Sequence, residues 1–303
     1  MRLAAVLTLG LWIAASAAQA QVRVLRGGPP ISDEVKAALA KVPTDRAAEL
    51  YRLAAAGRAD AQAYAGVLLA FRSDAPADKS KGCGYLQAAA ATRSDAMHFL
   101  GESYQYGRCG QIDLEKAIIT FDRAGDMGLA KSRCAEGNLL LELGRDQARA
   151  VRLCTEGAEA GDPDAQTDLG NFYLQGRIVG RDMSAARGWY EKAAAQNQAN
   201  AAHVLGQIYW NGDGVARDTA KAVKLWRIAY ANGRQDSAFF IGNEAFLRAG
   251  RGDGKWDPAG LVEARDWFAK AADGSSPEIA AQARERRDLS EQLIGVMQRK
   301  GVR

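Results

Sequence analysis

The chain has 303 residues, 48% hydrophobic and 25% charged, with a net charge of +4. That composition excludes a disordered polar tail, and the absence of any run of five like charges removes the argument for nucleic acid or an acidic membrane as partner. The length exceeds that of one ordinary compact core, so it calls for two domains or an extended architecture.

Taken in chain order, the first segment has the pattern of an export signal. MRLAAVLTLGLWIAASAAQA opens with a basic residue, Arg2, runs apolar from Leu3 to about Ala15, and places Ala18 and Ala20 around Gln19. This is the order of a secretory signal peptide over residues 1–20, cut before Gln21. The apolar run is too short to cross a bilayer, and no later stretch of about 20 apolar residues follows, so no membrane span is expected. Cysteine is absent at position 21, which argues against a lipid anchor. The expected address is the bacterial periplasm, with secretion as the alternative. Residues 21–43, including Arg26-Gly27-Gly28-Pro29-Pro30, read as a leader followed by a short helix from Ser32 to Lys41.

Beyond residue 43 the chain repeats itself. WYEKAAAQNQANAAHVLGQIYWNG, from Trp189, has relatives beginning at Gly84, Thr120, Arg152 and Leu225, a weaker copy at Leu50 and a half-copy at Asp266. Bulky residues align at Tyr51, Tyr85, Phe121, Leu153, Tyr190 and Trp226. A glycine follows in each copy: Gly66, Gly101, Gly137, Gly170, Gly206 and Gly242. Both halves of each copy carry apolar residues at helical spacing, so each copy is a pair of helices. A glycine inside the second helix costs about 1 kcal/mol in helix propensity, which is repaid if a neighbouring backbone or ring presses against it. Asp113, Asp182 and Asp218 stand as helix caps, Ser94 as the cap of an inner helix, and prolines 163, 258 and 277 sit at first helical positions. Residues 276–299 form a charged helix lacking the glycine, suited to cover the last apolar face.

The A-x-x-W-Y-x-K-A-A … A-x-x-L-G-x-x-Y-x-x-G-x-G-V-x-x-D pattern of residues 182–218 resembles the Sel-one-like repeat, a branch of the tetratricopeptide superfamily. Trp189, Tyr190, Lys192, Ala193, Ala194, Leu205, Gly206, Tyr209, Gly212, Gly214, Val215 and Asp218 carry the match. The expected fold is all-α: a right-handed superhelical solenoid of about six to seven antiparallel helix pairs over residues 44–273, closed by a capping helix in 274–303. The resemblance implies a non-catalytic scaffold that binds a protein or peptide of the cell envelope on the concave face. Exported relatives rich in cysteine point to the alternative, a β-lactam-binding or β-lactamase-like activity. Peptidoglycan binding is a further alternative.

The chemical candidates give way to simpler readings. NGDGVARD, residues 211–218, has the residue types of a calcium loop, but setting Gly214 at position 6 puts Tyr209 at 1 and Ala220 at 12, where oxygen ligands are needed. Its glycines read as left-handed turns between helices. His98 and His203 occupy equivalent positions three repeats apart, too far to share a metal, and no hydrolase motif is present. No cofactor, metal or catalytic residue is expected. Trp189, Trp210, Trp226 and Trp267 read as packing residues, whereas Trp256, in the insertion 250–257, is a candidate partner contact. Further candidates flank the bulky anchors on the first helices, which the concave side presents: Arg52, Gln87, Arg123, Lys192 and Arg227. Their mostly positive charge favours an acidic or extended peptide. Four cysteines allow three pairings. Antiparallel helices bring Cys83 near Cys109, and Cys134 near Cys154 across a turn at Gly144, so those two disulfides are expected in an oxidising compartment.

Overall fold

The structure, a computed structural model, describes residues 48–250, 252 and 255–299. The signal-peptide and leader readings lie outside them. The described residues form fourteen α-helices and no strand; the only bridge among them joins Gly250 to Trp256. The chain divides into two compact units between Asp162 and Pro163. Unit 1 holds α1 (Ala48–Ala55), α2 (Ala59–Arg72), α3 (Pro76–Ala90), α4 (Ser94–Gln105), α5 (Leu114–Asp126), α6 (Ala130–Glu142) and α7 (Gln147–Glu159). Unit 2 holds α8 (Pro163–Gln175), α9 (Met183–Ala195), α10 (Ala199–Asn211), α11 (Thr219–Ala231), α12 (Ser237–Ala249), α13 (Pro258–Gly274) and α14 (Pro277–Arg299). No described helix is long and apolar enough to cross a membrane.

Helix starts follow the chemistry of the free amides. Asp113, Asp218 and Asp257 each accept a bond from the amide three residues on, and Asp182 accepts from the amides of Ser184 and Ala185. Ser94 departs from expectation. It is the first helical residue of α4 rather than its cap, and Arg93 in the cap position makes no side-chain bond to the helix amides. Arg93 pairs instead with buried Asp95 at 2.5 Å. In NGDGVARD, Gly212 ends α10 in the left-handed region (φ 80°) and Gly214 repeats it (φ 70°), a conformation that side chains disfavour. Asp218 then caps α11.

The register glycines decide how helices meet. A Cβ at Gly66, Gly101, Gly170, Gly206 or Gly242 would come within 2.4–2.8 Å of Leu86, Phe121, Tyr190, Trp226 or Phe268 respectively. Each glycine therefore faces the first helix of the following copy, and the close hairpins are α2–α3, α4–α5 and α6–α7 in unit 1 and α8–α9, α10–α11 and α12–α13 in unit 2. Phe121, Tyr190 and Trp226 are the anchors read from the alignment, whereas in α3 the buried anchor is Leu86, one position after Tyr85. In α1 it is Leu50, one before Tyr51, and in α7 Cys154 meets the glycine in place of Leu153. α14 packs along α13 and buries Ala280, Ala283 and Met297.

Candidate functional site

The disulfides both lie in unit 1. Cys83 at the middle of α3 is bonded to Cys109 beyond α4, and Cys134 of α6 to Cys154 of α7. The second bond fills a slot that an aromatic ring fills elsewhere, because Cys154 Sγ is the side-chain atom nearest a Cβ built at Gly137, 3.2 Å away.

The first-helix candidates are spread over both units, and most are engaged within their own surface. Arg52 pairs with Glu49 at 2.7 Å. Gln87 and Arg123 are exposed on α3 and α5. In unit 2, Lys192 Nζ lies 3.8 Å from the centre of the Trp189 ring, and Arg227 pairs with Glu263 at 3.1 Å beside Trp267. Trp256 is half-buried, its ring 5.1 Å from that of Phe246.

Two recesses of unit 2 lie on the second helices. A polar recess of about 250 Å³ is lined by Asp164, Thr167, Asp168 and Asn171 of α8, by Asn200 and His203 of α10, and by Arg234. Val204 borders it and also borders a second recess of about 580 Å³. That recess is mixed, with Ile208 and Trp210 of α10, Trp226 of α11, and Phe240, Phe246 and Leu247 of α12 sharing its wall with Gln207, Asn211, Asp213 and Asn243. Leu247 is 62% exposed. Arg286 of α14 closes the end, its guanidinium 5.8 Å from the Phe246 ring centre. The two recesses adjoin at Val204 and are together termed the trough, polar on the α8 side and mixed aromatic and polar on the α12 side. The sequence reading placed its candidate contacts on the first helices and named none of these lining residues as a contact.

The equivalent histidines are structural. His98 Nδ1 bonds Ser132 Oγ at 2.9 Å and its Nε2 faces Glu102 at 3.3 Å; His203 Nδ1 bonds Ser237 Oγ at 2.7 Å and its Nε2 faces Gln207 at 3.3 Å. Both serines are fully buried, so the Ser132–His98–Glu102 chain does not present a nucleophile to solvent. Burial raises the Glu102 carboxyl, but the bond and charge of His98 and the charge of Lys131 outweigh it and hold the group below its ordinary value. Burial lowers His203 to about 4, with Arg234 acting the same way and Asp236 against it. The ring is neutral at pH 7, and Gln207 donates to Nε2, which leaves the proton on Nδ1 for Ser237. No group of three or more potential metal ligands occurs among the described residues.

The Sel1 repeat pattern matches residues 44–57, 59–91, 94–129, 134–162, 163–198, 199–233 and 236–276. The chain belongs to the Sel1 repeat family. Among solved structures, a Sel1 repeat protein from Oxalobacter formigenes is 26% identical with a TM-score of 0.54, covering 95% of this chain and 77% of the other. The immunity protein PA5088 of Pseudomonas aeruginosa is 19% identical with a TM-score of 0.50, covering 87% and 84%. An uncharacterised protein of Neisseria meningitidis serogroup B is 40% identical over 110 residues, which are 36% of this chain and 23% of that protein. The present chain thus spans about a quarter of that curated relative. Sel1 repeats are in general non-catalytic scaffolds for protein–protein interaction, and an all-α helical repeat of this kind is what the structure shows.

Proposed function

We propose that this Sel1 repeat protein is a non-catalytic scaffold, exported to the periplasm, which holds a protein or peptide partner in the trough of unit 2. The trough carries the reading: an open recess of about 580 Å³ with aromatic and polar side chains in its wall, adjoining a polar one at Val204, is the ordinary form of a site with an apolar anchor and a few orienting polar groups. Export is supported by the signal-like pattern of residues 1–20 and by two disulfides, which persist in oxidising compartments. A photo-reactive residue placed at Leu247 should cross-link a defined partner in intact cells. The same residue at Gln87 or Arg123 should not. Adducts formed only from Gln87 and Arg123 would move the site to the first helices.

A further inference from the structure

The last helix, α14, is longer than the helix it covers. It has 23 residues against 17 in α13 (23 − 17 = 6), and six residues at ~1.5 Å each add about 9 Å. One side of α14 meets the core, where Ala280, Ala283, Ser290 and Met297 are buried. The opposite side carries Gln282, Glu285, Leu289, Gln292, Val296 and Arg299, all of them exposed. Successive members of this stripe are three or four residues apart in alternation, the period that keeps one side of a helix toward a neighbouring helix. Solubility of a terminal helix asks only for a polar outer face. It gives no reason for Leu289 and Val296, which are 39% and 38% exposed, to fall on the stripe.

The charges on the stripe are ordered. Glu285 and Arg299 lie equally far before and after Gln292 (292 − 285 = 7 and 299 − 292 = 7), or ~10.5 Å along the axis in each direction. Neither makes an ion pair or side-chain hydrogen bond among the described residues, whereas Arg287, off the stripe, pairs with Asp288 at 2.8 Å. Leu289 stands three residues before Gln292 and Val296 four after it.

Reversing the direction of such a stripe produces its own complement. A second α14 laid antiparallel, with a twofold axis at Gln292, brings Glu285 of each copy level with Arg299 of the other. It also brings Leu289 level with Val296 to within ~2 Å. A twofold contact has to be self-complementary in this sense. A parallel pairing in register would set Glu285 against Glu285 and Arg299 against Arg299.

We propose that the outer face of α14 is a contact between two copies of this chain, antiparallel about Gln292. Glu285–Arg299 ion pairs close both ends, Leu289 packs on Val296 between them, and Gln292 meets its counterpart on the axis, where one amide donates to the other's carbonyl. About four helical turns are in contact, which places it at the small end of specific interfaces, so the pair forms reversibly. Each copy brings its own trough, and the pair is bivalent toward a partner that presents more than one anchor.

Sedimentation of the mature chain at low ionic strength, over a range of concentrations, should show a monomer–dimer equilibrium that added salt weakens. Glu285→Arg and Arg299→Glu should each weaken it about tenfold, because two ion pairs give way to two like-charge contacts. Mixing these two variants should restore association, since every 285–299 pair is then again of opposite sign. Both positions are exposed, so each variant should melt as the wild type does, which separates loss of the contact from loss of the fold. Gln292→Cys should form a symmetric cross-link under mild oxidation. Gln298→Cys, also exposed but on another side of α14, should not. The contact is overturned if the chain stays monomeric at every concentration, if the charge reversals change nothing or fail to complement each other, or if position 298 cross-links as readily as 292. Partner capture from Leu247 is read separately, so failure of the trough and failure of this contact are distinguishable.

Discussion

Hairpins α6–α7 and α10–α11 are copies of one design that stabilise the same close approach by different means. In α10–α11, Gly206 admits the Trp226 ring, which is 1% exposed, donates its indole N–H to the His203 carbonyl at 3.2 Å, and stacks near Trp210 and Phe240. In α6–α7, Gly137 admits the Ala150 carbonyl and the sulfur of Cys154, and the helices are bonded through Cys134. The residue before the glycine differs as well. Leu205 fills that place in α10, whereas α6 has Glu136, fully buried and 2.5 Å from Arg149. A covalent bond thus does in one hairpin what an aromatic ring does in the other, and a hairpin so fastened accommodates a buried carboxylate.

The largest test of this difference is Trp226→Ala. Removing that ring should cost about 3–5 kcal/mol and, in hydrogen exchange read by mass spectrometry, should deprotect α10 and α11 while α6 and α7 keep their protection. Replacing Cys134 and Cys154 by serine should do the reverse, at a cost of about 3 kcal/mol from a loop of this size. Equal deprotection of both hairpins by either change would erase the distinction between them.

Acid should separate the regions by almost as much. His203 is held at about 4 in the folded chain and titrates near 6.5 when unfolded. Between those values the unfolded state binds more protons, so stability is full above pH 6.5 and falls as the pH drops toward 4. The loss for α10–α12 should reach about 3 kcal/mol, and His203→Gln should flatten it. Glu136 works in the opposite sense. Burial raises its carboxyl, with the charge of Arg149 partly offsetting this, so the folded state binds the proton more readily and acid does not weaken α6–α7 through this group. Denaturant midpoints across pH 4–7, followed by segment-resolved exchange, would reveal whether the slope is confined to unit 2.

Smaller effects should sharpen the comparison further. Glu136→Leu restores the residue type of the sister hairpin and removes a buried charge, so it should raise the stability of α6–α7 by about 1 kcal/mol. Lys192→Ala, which removes a cation lying over an open Trp189 ring, should cost under about 1 kcal/mol and leave cross-linking from Leu247 unchanged.

Much of this architecture is legible in the sequence, and the misses have a common cause. Glycines must recur where helices touch, so Gly101, Gly170 and Gly206 reveal the repeat and Phe121, Tyr190 and Trp226 its anchors. In α3 and α7 two neighbouring positions are apolar, and spacing does not distinguish Tyr85 from Leu86 or Leu153 from Cys154. Only the packed helix shows which of them meets the glycine. The trough was hidden for another reason. Val204, Trp210, Phe240 and Phe246 have the spacing of ordinary core residues, and nothing in a helical period says that one side of a core is open.

The disulfides of unit 1 also set how the molecule would behave under tension. A chain drawn out by its ends surrenders every residue of an unfolded segment, except those enclosed by a covalent loop. Cys83–Cys109 and Cys134–Cys154 enclose sequence separations of 26 and 20 residues, so at ~3.5 Å per residue they withhold roughly 9 and 7 nm of contour. Unit 2 has no cysteine and would extend to its full length. Stretched in an oxidising medium, the two halves would behave as a tethered coil and a free one, and adding a reductant would release the difference.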